Sequence, residues 1–275
     1  QSIAAARAGA KVWHAGLIGC DGDILFEKLR ENGVDLTFIE RSEGVSGHAI
    51  IQVDNKGQNC ILLYGGTNRA LTKEYVDRVL DSFGGEGLVL VQNETNLTGY
   101  VMERAHQKGL QVAINASPMD EKVLSFPMEY ADWLVVNEIE GAAIANCSRE
   151  EDILPILQKK YPKMNVLLTL GKRGAVCVRG RENAKSGIYP VKVVDTTAAG
   201  DTFLGYFLTE ALDGATLGQI KKAAAGDNAR LAEHLDHRST LVILNTTLTP
   251  FSLRSDDLPI APGDEVAFGS PVGGG

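Results

Sequence analysis

Asp195-Thr196-Thr197-Ala198-Ala199-Gly200-Asp201-Thr202-Phe203 is the stretch whose reading decides the fold. It follows a β-like run, Tyr189 to Val194, and opens an apolar segment compatible with helix, Thr202 to Leu212. A strand passing through small residues into a helix gathers unpaired backbone N–H groups at one point, and the helix dipole adds a positive end there. An anion such as phosphate can bind at such a place without a basic side chain. Ala198, Ala199 and Gly200 are small enough for a ligand to approach the main chain closely. Asp201 falls in the first turn, a carboxylate beside that anion that can take a proton from a hydroxyl nucleophile. Phosphoryl transfer to an alcohol needs these parts, because its catalysis is mostly positioning and charge stabilisation. The same residues also fit an ordinary capped helix with an acidic first turn, and spacing alone leaves both readings open.

The bulk numbers narrow the class. A chain of 275 residues can bury one large core, or one core with a small appendage. Hydrophobic residues at 44% and charged residues at 23% are ordinary for a soluble enzyme. A formal charge of −8 argues against a nucleic-acid partner, which would want a basic face. It leaves a phosphate site possible, since backbone amides can carry that binding. No apolar run reaches the roughly 18 residues of a membrane span, and no charged-then-apolar leader opens the sequence. Cys20, Cys60, Cys147 and Cys177 form no CxxC pair, which favours free thiols in a reducing compartment. The expectation is a cytoplasmic protein without a membrane partner. The histidines show no metal-ligand spacing.

Along the chain, Gln1 to Ala8 reads as helix ended by Gly9, Lys11 to Gly19 as a β-like run, and Asp23 to Glu31 as a helix closed by Asn32-Gly33. Between Val34 and Gly66 three short β-branched segments, near Leu36–Ile39, His48–Val53 and Asn59–Tyr64, predict a small antiparallel sheet. Such a sheet is too small to stand alone and must cover a cleft, a partner subunit or both. Strand patterns at Leu88–Gln92, Leu110–Asn115, Trp133–Asn137 and Asn165–Leu170 then alternate with helical ones. The helical runs are Lys73–Phe83, Thr98–Lys108, Glu138–Ala145 and Glu150–Lys160. This alternation predicts an α/β fold, a mostly parallel sheet flanked by helices in three layers.

Ligands of such sheets bind beyond the carboxyl ends of the strands, which picks out Glu94, Asn115, Asn137 with Glu140, and Thr169-Leu-Gly-Lys-Arg-Gly174. Each has a plainer reading. Glu94 fits a helix N-terminal charge, and Asn137 with Glu140 fits a capping pair. The Thr169–Gly174 stretch fits a turn into a hairpin with Ala175–Val178, although its glycines leave room for a nucleotide's phosphates. Lys172 and Arg173 are read as solvated side chains, either of which can reach a phosphate.

The nine residues from Asp195 resemble the second signature of the ribokinase/PfkB sugar-kinase family, D-T-x-G/A-A-G-D-x-F. The resemblance implies a ribokinase-like fold with a β-sheet lid, and transfer of the γ-phosphoryl group of ATP to a primary hydroxyl of a sugar. It makes Asp201 the catalytic base and Ala198, Ala199 and Gly200 the anion hole. Asn137-Glu-Ile-Glu140 matches the family's N-x-x-E element, which helps hold the magnesium–phosphate assembly, Glu140 indirectly. Thr169, Gly171 and Gly174 match the nucleotide-side loop, and Glu94 an acidic sugar contact. Asp195 and Thr197 match residues of a potassium site in ribokinases. Ser46 to Asp54 and Gly65-Gly66-Thr67-Asn68 are similar to the ribokinase lid and its return to the core. A homodimer through this lid is expected, since exposed small sheets pair edges.

The pieces stand in an unusual order. Gln1-Ser-Ile-Ala-Ala-Ala resembles the residues after the family's glycine loop, whereas the features that should precede it lie at the other end. Ser239 to Asn245 reads as the family's first strand, Leu258 to Glu265 as its turn, and Gly273-Gly274-Gly275 as the start of the glycine loop. The domain reading is therefore a core at 1–33, a lid at 34–66, a core at 67–249, and a segment 250–275 that precedes residue 1 in family order. A circular permutation, a cut within a tandem fusion and a reordered sequence all produce this string, as does a divergent C-terminus with a glycine tail. Thr247 and Thr249 stand where ribokinases carry an Asn and an Asp for the sugar, and with Gly273 and Gly274 they complete the expected substrate contacts. The polar stretch Gly226 to Arg238 replaces the family's adenine-side segment. Two other classes remain open on sequence: a catalytically impaired sugar- or nucleotide-binding protein on the kinase fold, and a phosphatase or nucleosidase.

Overall fold

The computed structural model describes residues 1–53, 59–187 and 198–212, together with strand segments 241–244, 247–248 and 266–269. Helix α1 (Ser2–Arg7) is followed by β1 (Gly16–Ile18), α2 (Asp23–Glu31) and β2 (Ile39–Arg41). Strands β3 (His48–Val53) and β4 (Asn59–Tyr64) come next, then a 3-10 turn over Gly66–Arg69. Helix α3 (Lys73–Asp81), β5 (Leu88–Gln92), α4 (Thr98–Gln107) and β6 (Gln111–Asn115) alternate after it. Strand β7 (Trp133–Asn137), α5 (Glu138–Ala145), α6 (Glu150–Lys160) and β8 (Asn165–Thr169) continue the pattern. The hairpin strands β9 (Ala175–Arg179) and β10 (Glu182–Ser186) precede α7 (Ala199–Leu212). Short strands β11 (Leu241–Leu244), β12 (Thr247–Leu248) and β13 (Val266–Gly269) complete the described elements. The chain divides into two compact units, one of Trp13–Glu31 and Asp35–Asp132, the other of Gln1–Val12, Asn32–Val34 and Trp133–Gly275.

In the first unit β1 and β2 pair in parallel, Gly16 opposite Ile39. Here the structure corrects the expectation of a three-membered antiparallel sheet: the strand forms at Ile39–Arg41 and joins β1 instead of the lid. The connection decides this, because a parallel partner needs a crossover, which α2 supplies, whereas a hairpin partner needs a tight turn. The lid proper is the antiparallel pair β3–β4, with His48 opposite Tyr64. Ile50, Leu62, Leu63 and Tyr64 on it are exposed. Strands β5 and β6 pair in parallel, so that Gln92 and Asn115 end side by side. Helix α4 crosses between them and buries Met102 and Ala105 completely. Helix α3 buries Tyr75, Val76, Val79 and Leu80, the helical spacing that lays one apolar face inward.

In the second unit the strand order is β10-β9-β8-β7, with β7 and β8 parallel and β8, β9 and β10 antiparallel. The near-continuous apolar runs Leu134–Val136 and Val166–Leu168 are buried, as strands covered on both faces require. Helix α5 lies close to β7 and α6 at Gly141, where a Cβ would meet Ile153 at 2.9 Å and Val136 at 3.3 Å. Helix α7 turns Phe207 edge-on to Trp133, with ring centroids 5.6 Å apart. It also packs against α1, where Ala4, Ala8 and Tyr206 form a buried cluster. Strand β11 pairs antiparallel with both β12 and β13. The run Tyr189–Val194 and the turn at Leu258–Glu265 lie outside the described residues, as does the junction of residue 275 with residue 1. Among the described residues no helix is long and apolar enough to cross a membrane.

Candidate active site

Helix α7 begins at Ala199, three residues earlier than the apolar pattern marks it, so Asp201 occupies its third position. Ala198 precedes it with φ +59°, a left-handed conformation that costs a non-glycine residue about 1–2 kcal/mol. Its carbonyl accepts the Thr202 N–H at 2.9 Å, which makes Ala198 the N-cap. The N–H groups of Ala199, Gly200 and Asp201 therefore have no acceptor within the helix. A left-handed residue followed by helical ones turns successive amides toward one concavity, the arrangement that receives anions. Gly200 is exposed, and among the described residues nothing lies within 4 Å of where its Cβ would be.

The Asp201 carboxylate is half-exposed, and its Oδ1 accepts a hydrogen bond from the Gln1 side-chain amide at 2.8 Å. Sequence spacing gives no hint of this pair, which joins residues 200 positions apart.

At the carboxyl ends of β7 and β8, Asn137 and Thr169 are register partners. Asn137 caps α5: its Oδ1 accepts from the N–H groups of Ile139 and Glu140, both at 2.9 Å. The Glu140 carboxylate reaches back to the Asn137 N–H at 2.9 Å, closing a reciprocal capping box. The capping alternative is thus realised, and it leaves a specific chemistry. With Oδ1 occupied twice, Asn137 can offer an incoming ligand only its NH2, a donor suited to a phosphate oxygen and not to a cation. Glu140 is buried, and a carboxylate there is a fit for a magnesium-bound water or phosphate assembly. The Thr169 hydroxyl donates to the Val136 carbonyl at 3.4 Å.

The loop after β8 turns at Gly171 and Gly174, with φ +50° and +89°. At Gly174 a Cβ would stand 1.8 Å from the Ser186 carbonyl oxygen, so only glycine closes this corner. Among the described residues nothing lies within 4 Å of a Cβ placed at Gly171. Arg173 is committed elsewhere: its guanidinium bonds both carboxylate oxygens of Glu150, one at 2.6 Å, and Glu138 at 3.0 Å. It ties the loop to the first turns of α5 and α6, a role the sequence reading missed, and the structure does not show it available to phosphate.

Glu94 belongs to the other unit. It is exposed in the turn that follows β5. The turn is fastened to the lid root, where Arg69 donates to the Thr95 carbonyl at 3.0 Å and Asn96 donates to the Leu71 carbonyl at 2.9 Å. Its neighbour Asn93 is buried and donates to the Pro118 carbonyl at 2.8 Å. A cavity of about 400 Å³ opens at that root, lined by Glu43–Val45, Tyr64–Thr67, Arg69 and Ala70. Below it, Ser46 accepts from Gly19 through its hydroxyl at 2.9 Å and donates its N–H to Asp21 at 2.8 Å. These bonds from Ser46 hold the Asp21 carboxyl below its ordinary value.

Thr247 opens β12. Thr249, Gly273, Gly274, Asp195 and Thr197 lie outside the described residues, as does any potassium site formed by the last two. Among the described residues no group of three or more His, Cys, Asp or Glu is placed to hold a metal ion by itself.

A helix N-terminus with a carboxylate in its first turn, on an α/β framework with a glycine-cornered loop after a parallel strand, is an arrangement that can receive phosphate. Comparison with known proteins makes the class specific. Residues 1–226 match the model of the pfkB family carbohydrate kinases, and the chain belongs to that family. It is 32% identical over 222 residues to a ribokinase of Staphylococcus aureus, covering 76% of this chain and 71% of that one. A bifunctional ribokinase/ribose-5-phosphate isomerase A of Fructilactobacillus sanfranciscensis is 31% identical over 215 residues, 74% of this chain and 39% of the relative. Among solved structures, a ribokinase from Cryptococcus neoformans in complex with ADP superposes with TM-score 0.70 at 30% identity, covering 79% of this chain and 75% of that one. The fold is ribokinase-like, as the motifs imply.

Proposed function

We propose that the chain moves the γ-phosphoryl group of ATP to a primary hydroxyl of a sugar or sugar-like alcohol, with Asp201 as general base. The observation that carries this reading is Asp201 itself, in the first turn of a helix whose first three amides have no acceptor within the helix. The alcohol oxygen bonds to the γ-phosphorus as the bond to the β,γ-bridging oxygen breaks. The hydroxyl proton passes to Asp201, and ADP leaves. The amides of Ala199, Gly200 and Asp201 stabilise the transferring phosphoryl oxygens. The Asn137 NH2 donates to a phosphate oxygen, and Glu140 would help hold magnesium indirectly, through water or phosphate. When bound, magnesium supplies neutralisation of phosphate charge. Potassium at Asp195 and Thr197 belongs to the same proposal. Thr169, Gly171 and Gly174 form the nucleotide-side loop. Glu94, with Thr247, Thr249, Gly273 and Gly274, contacts the hydroxyl-bearing substrate.

A homodimer through β3–β4 is supported by its exposed Ile50, Leu62, Leu63 and Tyr64. Light scattering that finds the same monomeric mass for the wild type and for Leu62→Glu would refute it. The free thiols Cys20, Cys147 and Cys177 support a reducing, cytoplasmic setting.

The test is a panel of sugars and nucleosides with ATP and magnesium, with and without potassium, scored for ADP and phosphorylated product. Asp201→Asn should remove turnover by about a thousandfold or more while nucleotide affinity changes little. A near-normal rate in that variant would remove the base.

A further inference from the structure

We infer that Gln1 is a positioning residue for the base, holding Asp201 by its Oδ1 so that Oδ2 is presented to the substrate hydroxyl. This rests on the reading of Asp201 given above. Gln1 is the N-cap of α1, a position whose side chain ordinarily accepts a bond from its own helix, yet no such cap bond forms. The side-chain amide donates instead to Asp201 at 2.8 Å, across to another helix. Helix packing prepares the contact. Asp201 and Gly205 are four residues apart and so share one face of α7. At Gly205 helix α1 approaches so closely that a Cβ would stand 2.6 Å from Ala4 Cβ, 2.7 Å from Ala5 N and 2.9 Å from Gln1 O. The Gln1 backbone thus lies over Gly205, and its side chain reaches one turn back along α7 to the carboxylate. Ala4, Ala8 and Tyr206 are buried together along the same seam.

A carboxylate on an open helix end rotates unless something fixes it, and a base must meet its proton at hydrogen-bond distance and direction. Gln is suited to this work. Its NH2 donates to the carboxylate without adding a positive charge that would lower the basicity of the carboxylate.

Gln1→Met keeps the length of the side chain and removes the donor, whereas Gln1→Glu keeps the shape and replaces the donor with a like charge. Gln1→Met should lower kcat about tenfold to a hundredfold, the effect of a lost hydrogen bond to a charged group. KM for ATP and for the sugar, and the melting temperature, should stay near wild type. Gln1→Glu should be slower than Gln1→Met. If Gln1 only filled space, the isosteric Gln1→Glu would be the closer of the two to wild type, and that order would overturn the inference. A Gln1→Met enzyme with unchanged kcat, or with its loss confined to KM, would overturn it equally. Asp201→Asn in the same series separates the two levels. A dead Asp201→Asn beside a normal Gln1→Met removes the positioning role alone, and an active Asp201→Asn removes the base and the positioning role together. A readout independent of turnover is the Gln1 side-chain amide resonance, which should move in Asp201→Ala; an unmoved resonance refutes the contact.

Discussion

Gly205→Ala is the sharpest perturbation of this architecture, because one methyl group separates stability from rate. The added Cβ would lie 2.6 Å from Ala4 Cβ, 2.7 Å from Ala5 N and 2.9 Å from Gln1 O. Carbon atoms rest at about 3.5–4.0 Å, so α1 must withdraw by roughly 1 Å along this seam. Two of the three obstructing atoms are backbone and cannot rotate away. Overpacking of this kind costs about 1–3 kcal/mol. Replacing glycine inside a helix returns about 1 kcal/mol through helix propensity. The net destabilisation is therefore about 0–2 kcal/mol, a fall in Tm of a few degrees for a chain of this size. The rate should suffer more, since moving Gln1 by about 1 Å loosens the carboxylate it holds, and misplacements of that size can cost about a hundredfold. Differential scanning calorimetry and steady-state kinetics on one preparation measure both. The double variant Ala4→Gly with Gly205→Ala removes the carbon–carbon clash but not the two backbone contacts, so it should recover only part of the rate. A Gly205→Ala protein with wild-type kcat and a raised Tm would show that the helices do not meet closely there, and would refute the reasoning.

Gly174→Ala should be the most damaging single change in the nucleotide-side loop. With φ +89° and ψ −135°, and the Ser186 carbonyl oxygen 1.8 Å from the new Cβ, the corner cannot close. A loss of about 3 kcal/mol or more in urea unfolding is expected, with ADP affinity weakened at least about tenfold, and titration calorimetry giving wild-type affinity would contradict it. At the lid root, Asp21 is held below its ordinary 3.8 by the bonds from Ser46. A depressed carboxylate contributes stability that is complete above the unfolded value and is lost as pH falls through the folded one. Hydrogen exchange at the Ser46 amide should therefore gain an acid-induced acceleration below about pH 3.8 that Asp21→Asn lacks, and identical acid profiles for the two proteins would exclude the link.

Much of this was legible in the residues. Leu88–Gln92, Trp133–Asn137, Glu138–Ala145 and Glu150–Lys160 form as the sequence marks them, the two strands as short apolar runs and the two helices as segments that open on acidic first turns. The helix start at Asp201 was legible as chemistry, although its first residue was not, since Ala199 and Gly200 carry no apolar period. What the sequence hid is what depends on partners. Ile39–Arg41 looks like a third lid strand until its pairing with β1 is seen. Arg173 reads as a solvated cation or a phosphate ligand, and only the folded loop brings it onto Glu138 and Glu150. Gln1 is an unremarked amide in an alanine-rich helix, and a partner 200 positions away leaves no local trace.

On the proposed reading, the same facts account for how a chain of net charge −8 would bind a polyanion. Had phosphate binding relied on side-chain cations, Arg173 would be the obvious candidate, yet its donors bind two glutamates. Neutral donors are available as well: the amides at the start of α7, the glycine-cornered loop after β8, and the NH2 of Asn137. Fixed dipoles of this kind need no reorganisation as negative charge builds on the leaving oxygen. They also leave Asp201 without a neighbouring cation in direct contact among the described residues. Its hydrogen-bond partner is the uncharged amide of Gln1, which in the proposed reading orients the carboxylate without a positive charge that would lower its basicity.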